Sequence, residues 1–118
     1  MEQSMAYHKI DIYLYEHMLV KAMAAVDRSP YNPDLARVIQ ATRAEYPDWG
    51  IQHCKRQAES IMDAGKAKSY DDAVSWLRIA HDIYLQHNRQ AEWQAYLAGL
   101  LDLHARKYKL VPMLRGIR

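Results

Sequence analysis

Cysteine is nearly absent from this chain of 118 residues, in which Cys54 is the only one. One cysteine excludes an internal disulfide and any metal site built from several thiolates, and it is typical of a reducing compartment. No run approaches the roughly 20 apolar residues of a membrane-spanning helix. The N-terminal stretch MEQSMAYHK also lacks the apolar core of a signal peptide. We therefore expect a cytoplasmic protein without a membrane segment.

Phenylalanine is absent, and glycine and proline occur only four times each. Three tryptophans and nine tyrosines therefore have to supply the aromatic part of the core, and we expect them to pack there rather than to stack on single-stranded nucleic acid. Few helix breakers, together with many Ala, Leu, Gln, Glu, Lys and Arg residues, favour helix. No segment shows sustained strand alternation. The sequence thus predicts an all-α fold in a single domain over residues 1–118.

Hydrophobic periodicity predicts about six helices with short links, an order suited to antiparallel hairpins. The strongest signal lies at 69–88, where apolar residues recur every three or four positions and Ser69 can cap the helix. Because this helix is apolar over much of its circumference, we expect it at the centre, with Leu77, Ala80 and Tyr84 buried. The predicted helices cover residues 4–28, 34–45, 48–64, 69–88, 89–105 and a short last helix from Leu110.

Proline and glycine indicate where helices begin and end. The stretch SPYNP at 29–33 cannot continue a helix. Asn32 and Pro33 are suited to cap and start the second helix. Gly65 is well placed to end the third helix as its C-terminal cap.

The second half of the first helix, MLVKAMAAV at 18–26, is apolar nearly all round. Such a helix is buried on several sides or contacts a partner. Two alternatives remain open: residues 1–28 pack on a partner or on a second copy in a two-fold dimer, or they fold back and cap a helical array. The candidate self-association residues are Met18, Leu19, Met23 and Val26.

Positive charge is concentrated at the C-terminal end. Residues 105–118 hold five basic residues and no acidic one, whereas residues 1–104 hold 11 basic and 14 acidic residues. Such a segment suits an acidic partner or nucleic acid, although cations also stabilise a solvated helix end. The candidate partner- or phosphate-contacting residues are Arg106, Lys107, Lys109 and Arg115.

The residues with reactive or metal-binding side chains form no recognisable constellation. The six histidines make no i, i+4 pair and no H-E-x-x-H motif, and we expect no metal or cofactor. Cys54 lies on an apolar helix stripe, where a thiol is usually buried and inert. Asp71 and Asp72 at a helix start complement its dipole rather than form a catalytic pair. We therefore expect no enzymatic activity.

One stretch resembles a known helical repeat. Tyr70, Ala73, Leu77 and Ala80 follow Y-x2-A-x3-L-x2-A, which is similar to the second helix of a tetratricopeptide repeat. The preceding helix is a partial match to the first helix of that repeat. The resemblance implies a divergent array of helical hairpins that departs from the strict repeat length.

A second resemblance covers roughly residues 46–115. It is with the C-terminal helical region of bacterial SWIM zinc-finger proteins, and several strings keep their order and spacing. It implies that the chain is the helical tail of a larger parent protein, without the zinc-binding module, which one cysteine cannot form. The strings are YPDW at 46–49, AESIMDAGKAKSYDDAVSWL at 58–77, EWQAYL at 92–97 and HARKYKLVPML at 104–114.

These features together predict a non-catalytic helical-repeat scaffold that mediates contacts with another protein or with an upstream domain of its own parent chain. The alternative is a nucleic-acid-associated accessory module that uses the basic C-terminal segment. Whether the chain forms a homodimer stays open.

Overall fold

The computed structural model describes residues 10–14, 17–29 and 33–117. All regular structure in these residues is helical, without a strand, which confirms the predicted all-α class. The backbone divides into two compact units, Met1–Tyr46 and Pro47–Arg118, and the expectation of a single domain stays a prediction. The main helices are α1 (Leu19–Asp27), α2 (Leu35–Thr42), α3 (Pro47–Ala64), α4 (Tyr70–Gln86), α5 (Gln90–Leu103) and α6 (Leu110–Arg115), with a 3₁₀ helix at Ala67–Ser69.

The first predicted helix, over 4–28, is not continuous. Residues 10–14 are helical, but α1 begins only at Leu19. Residues 4–9 of the predicted helix lie outside the described part of the chain. The prediction of one uninterrupted helix is therefore wrong.

The interruption is at His17, whose φ of 60° lies in the left-handed region. Its N–H donates to the Leu14 carbonyl at 3.3 Å. The N–H of Met18 donates to the Tyr13 carbonyl at 2.6 Å. This pair of bonds is the Schellman arrangement, which ends a helix by satisfying its last carbonyl groups. A left-handed residue other than glycine is uncommon, so the apolar pattern gave no sign of the break.

Within the first unit, α1 packs against α2. Leu19 and Val26 are buried on one face of α1, whereas Val20 is 60% exposed, so α1 keeps an exposed side. Leu19 and Val26 are therefore not surface groups of a single copy. The other candidate self-association residues, Met18 and Met23, are half-buried, and self-association itself stays a prediction.

The second predicted helix is shorter than expected. α2 covers Leu35–Thr42 with Asp34 in the N-cap position, whereas the sequence predicts a helix over 34–45 with Pro33 at its start. The predicted cap, Asn32, lies outside the described residues. The buried residues of α2 recur at three- and four-residue steps, as on one face of a helix; they are Leu35, Val38, Ile39 and Thr42.

In the second unit, α4 contacts α3, α5 and α6, which confirms its predicted central position. Leu77 and Ala80 are 0% exposed and Tyr84 is 3% exposed, as expected for the inward stripe. Ser69 is the N-cap residue, but its hydroxyl makes no capping hydrogen bond, so the predicted capping contact is absent.

Left-handed residues end both α3 and α4. Gly65 follows α3 with a φ of 70°, as predicted, and its N–H donates to the Met62 carbonyl at 3.1 Å. Asn88 follows α4 with a φ of 57°. The N–H of Arg89 donates to the Tyr84 carbonyl at 2.8 Å across that turn. Both residue types tolerate this conformation, and short links let α4 pack on α3 and α5.

The last helix begins at Leu110, as predicted. Pro112 lies in its first turn, where a backbone N–H would have no partner within the helix. No helix in the described ranges is long and apolar enough to cross a membrane.

Candidate functional site

Residues 103–109, here called the basic turn, join α5 to α6 and include three of the four basic candidates. His104 within the turn and Leu110 just after it are 3% and 0% exposed. The N–H of Lys107 donates to the His104 carbonyl at 2.9 Å, and the N–H of Leu110 donates to the Lys107 carbonyl at 3.0 Å. The backbone of the basic turn is thus held by hydrogen bonds and fixed to the core near both ends.

Lys107 has a structural role in this turn. Its Nζ donates to the carbonyl of Met62 at 2.7 Å, in the last turn of α3, and the side chain is half-buried. A cation at a helix C-terminus can bond one of the last carbonyls, here one that also accepts the Gly65 N–H, and it complements the helix dipole. The prediction that Lys107 contacts a partner or a phosphate is therefore not supported by its geometry.

The other basic candidates are in contact with solvent. Arg106 and Lys109 are exposed in the basic turn, and Arg115 is exposed at the end of α6. Two of the four predicted residues are thus exposed on the same hydrogen-bonded turn, and the third lies on the following helix.

The basic turn also exposes two large apolar side chains that were not predicted from the sequence. Leu103 is 72% exposed and Tyr108 is 87% exposed, the highest values among large apolar residues in the described ranges. Tyr108 lies between two lysines, which is a weak sign of exposure. Leu103 does not belong to the stripe of buried α5 side chains, which recur at three- and four-residue steps. Its position outside that stripe is the stronger sign of exposure. That stripe is Trp93, Leu97 and Leu100, continued by His104.

A ladder of polar contacts links α3 to α5. Arg89, just before α5, bonds Asp48 at the start of α3 with an Nη1–Oδ1 distance of 2.7 Å. Further along, the Tyr96 hydroxyl donates to Glu59 Oε2 at 2.7 Å. The Nζ of Lys55 lies 4.2 Å from the centre of the Tyr96 ring. Because the contacts advance in the same direction along both helices, α3 and α5 run parallel.

The ladder contacts shift the ionisation of their members. Side-chain hydrogen bonds to Glu92 and Asp48 raise the pKa of Arg89 above its usual value. The hydrogen bond from Arg89 lowers the pKa of Glu92. Burial, with the hydrogen bond to Glu59, raises the pKa of Tyr96. At neutral pH these groups keep their ordinary charges, so the ladder is suited to holding helices together rather than to moving protons.

His104 is the buried side chain of the basic turn and packs in the core. Neither of its ring nitrogens has a hydrogen-bond partner, and Nε2 lies 4.0 Å from Asp63 Oδ1. Burial, followed by the positive charge of Lys107, lowers the pKa of His104. The carboxylates of Asp63 and Glu59 act in the opposite direction. The imidazole is therefore neutral at physiological pH and acts as a packed side chain.

The thiol and one tryptophan of the second unit lie in its interior. Cys54 is 0% exposed on α3, as predicted. Trp93 is 1% exposed, and its ring centre is 4.8 Å from that of His81, so it is a core residue. Among the described residues, no three His, Cys, Asp or Glu side chains come together as metal ligands.

The first unit contains a shallow depression of about 310 Å³. Its walls include the Lys21 ammonium and the Glu45 carboxylate, so opposite charges face one small space. It has no single electrostatic character that would select a ligand. Its lining is His17, Met18, Leu19, Val20, Lys21, Glu45 and Tyr46.

Comparisons with protein-family models, with curated proteins and with solved structures found no match. The functional assignment therefore rests on the residues and geometry of this chain.

Proposed function

We propose that this chain is a non-catalytic helical scaffold that binds another protein through the basic turn. The observation that carries the proposal is the exposure of Leu103, at 72%, and Tyr108, at 87%. A single exposed apolar side chain is ordinary on a soluble protein. Two large ones in a short turn are more typical of a binding surface, and tyrosine is among the residues enriched at interfaces.

The fixed backbone of the basic turn supports the same function. His104 is buried, Leu110 is buried, and the side chain of Lys107 is bonded to Met62 O. A partner would therefore meet side chains on a preformed surface and would lose little free energy in ordering the loop.

The packing around α4 supports the repeat-like part of the proposal. α4 lies between α3 and α5, as the second helix of a hairpin repeat does, and its small residues Ala73 and Ala80 are 0% exposed. Small side chains let helices approach closely, which is the property shared with tetratricopeptide repeats. Arrays of this kind commonly serve as binding scaffolds.

The resemblance of residues 46–115 to the helical region of SWIM zinc-finger proteins extends the proposal to the identity of the partner. The partner is then a separate protein or an upstream domain of the same parent chain. The single cysteine, Cys54, is buried, which supports a reducing, cytoplasmic location. The burial of this thiol and the mutual pairing of the ladder groups support a non-catalytic role.

Nucleic-acid binding is the second candidate. Tyr108 is exposed between two lysines, and exposed tyrosines near cations can stack on bases. However, Lys107 donates its Nζ to Met62 O, which leaves only Arg106 and Lys109 as exposed cations in the turn. That number is well below the roughly six to ten phosphate contacts of a typical DNA-binding surface.

Site-specific photocrosslinking tests the proposed function. Benzoylphenylalanine is placed at Tyr108 in the full chain, and at exposed Ser60 on α3 as the matched control. Irradiation in cells of the source organism should give a discrete protein adduct from position 108 and none from position 60. The adduct should persist after nuclease treatment.

Two results would contradict the proposal. Equal adducts from positions 108 and 60 would show contact without a preferred surface. An adduct that nuclease removes would favour the nucleic-acid alternative.

A further inference from the structure

The basic turn combines positive charge with its exposed apolar groups. Arg106 and Lys109 are exposed, and residues 103–118 contain no acidic side chain. A neutral apolar partner would have to desolvate these cations without compensation. A partner that carries carboxylates would pair with them, so charge complementarity favours an acidic surface.

The exposed groups are also close together along the chain. Leu103, Arg106, Tyr108 and Lys109 fall within residues 103–109, and seven residues span at most about 23 Å even when fully extended. Hydrogen-bonded turns shorten that distance further. A surface of this size matches one short segment of a partner rather than a broad interface.

The apolar side chains distinguish a peptide from nucleic acid at this surface. Leu103 has no ring on which a base could stack, yet at 72% exposure it offers aliphatic area in the same short turn as the cations. A leucine or another apolar side chain of a peptide can pack there and bury that area. Bound nucleic acid would either leave the Leu103 side chain exposed to water or place a charged phosphate against this apolar group, which costs the phosphate its hydration.

We infer that the basic turn binds an acidic segment of a partner protein that carries at least one apolar side chain. The carboxylates pair with Arg106 and Lys109, and the apolar side chain packs on Leu103 and Tyr108. The inference rests on the proposed scaffold function and adds the chemistry of the partner.

Fluorescence anisotropy with the full chain tests this inference. The probes are a labelled short peptide of repeating Glu-Glu-Leu-Asp, its neutral counterpart of repeating Gln-Gln-Leu-Asn, and a labelled oligothymidine strand. The acidic peptide should bind, more weakly at high salt, and both other probes should bind much less. Tyr108→Ala and Lys109→Glu should each lower the affinity of the chain for the acidic peptide by about tenfold.

Lys68→Glu is the matched control, since Lys68 is an exposed lysine outside the basic turn. This variant has the same change of charge as Lys109→Glu and should leave the affinity unchanged. Equal losses in the two variants would show a general charge effect and overturn the inference. An acidic peptide that binds Tyr108→Ala and Lys109→Glu as well as the native chain would place the site elsewhere and also overturn it.

The remaining outcomes separate the inference from the proposed function. If the neutral peptide binds as tightly as the acidic one and Tyr108→Ala weakens both, the acidic partner is wrong but protein binding at the turn stands. If only oligothymidine binds, and Lys109→Glu abolishes that binding, the acidic partner and the proposed protein-binding function are both wrong. If no probe binds, the acidic partner is rejected, and the crosslink from position 108 decides the scaffold function independently.

Discussion

Leu77 and Leu85 lie in the same helix, α4, but in different surroundings. Leu77 is 0% exposed, whereas Leu85 is 40% exposed although it belongs to the apolar stripe that the sequence suggests. Leu85 lies in the last turn of α4, one residue before the helix ends at Gln86. The stabilisation that a leucine provides depends on the apolar area it removes from water, so the two residues differ in their expected contribution.

Leu77→Ala should lower the free energy of unfolding by about 2–4 kcal/mol, because it removes buried methyl groups and leaves a cavity among packed helices. Leu85→Ala is the control in the same helix, and its loss should stay below about 1 kcal/mol. Urea denaturation of the two variants and the native protein measures both values. Similar losses would contradict the central position of Leu77.

His104 should make the stability of the fold depend on pH. An unfolded histidine has a pKa of about 6.5. Burial and the charge of Lys107 lower the pKa of His104 in the folded protein, with Asp63 and Glu59 opposing them. As the pH falls below about 6.5 the unfolded state therefore binds the proton first, and the free energy of unfolding decreases. Above that pH the contribution of His104 to stability is fully present.

The variant His104→Leu, which fills a similar volume without a titrating group, should show a smaller loss of stability between neutral pH and about pH 5 than the native protein. Urea denaturation at both pH values measures the difference. An identical loss in the native protein and His104→Leu would show that His104 does not titrate differently on unfolding.

At the scale of elements, three of the helix ends in the described residues have a left-handed residue. His17, Gly65 and Asn88 all have φ between 57° and 70°. Of these three residue types, only glycine reliably indicates a helix end in a sequence. A helix end at a residue such as His17 depends on the backbone hydrogen bonds that the surrounding structure allows. Apolar periodicity therefore does not predict such an end.

Asn88→Gly should keep or slightly raise stability, because glycine adopts the φ of 57° without steric cost. Asn88→Ala should lower the free energy of unfolding by roughly 1–2 kcal/mol, the usual cost of a left-handed alanine. Chemical denaturation of both variants measures the contrast. Gly65→Ala is a parallel case, since a Cβ there meets nothing within 4 Å and only backbone strain is added. Equal stabilities for Asn88→Gly and Asn88→Ala would show that this turn is not strained.

At the scale of the whole molecule, features that depend on local periodicity could be predicted. The central position of α4 follows from its wide apolar stripe, and the start of α6 at Leu110 follows from the position of Pro112. The interaction surface could be predicted only in part. The sequence indicates the charge of Arg106 and Lys109, but the bond from Lys107 to Met62 O joins residues that are 45 positions apart. No local pattern predicts a contact of that kind.

Self-association through α1 is a possibility that the sequence leaves open, and the burial of single residues bears on it. The sequence shows an apolar segment at 18–26 and leaves open whether a second copy covers it. The structure buries Leu19 and Val26 in one copy, with α1 packed against α2. A dimer that used these side chains would first have to expose them, which costs the free energy of their burial.

We therefore expect light scattering at micromolar concentration to give the mass of a single chain, and Met18→Glu and Met23→Glu to leave that mass unchanged. Both methionines are half-buried, so circular dichroism must first show that each variant is folded. Val20, an exposed apolar residue on this helix, provides the matched control, since Val20→Glu adds the same charge at a 60% exposed position. A dimer that dissociates in the methionine variants and persists in Val20→Glu would establish α1 as an interface. The burial of Leu19 and Val26 within one copy would then describe only the dissociated chain.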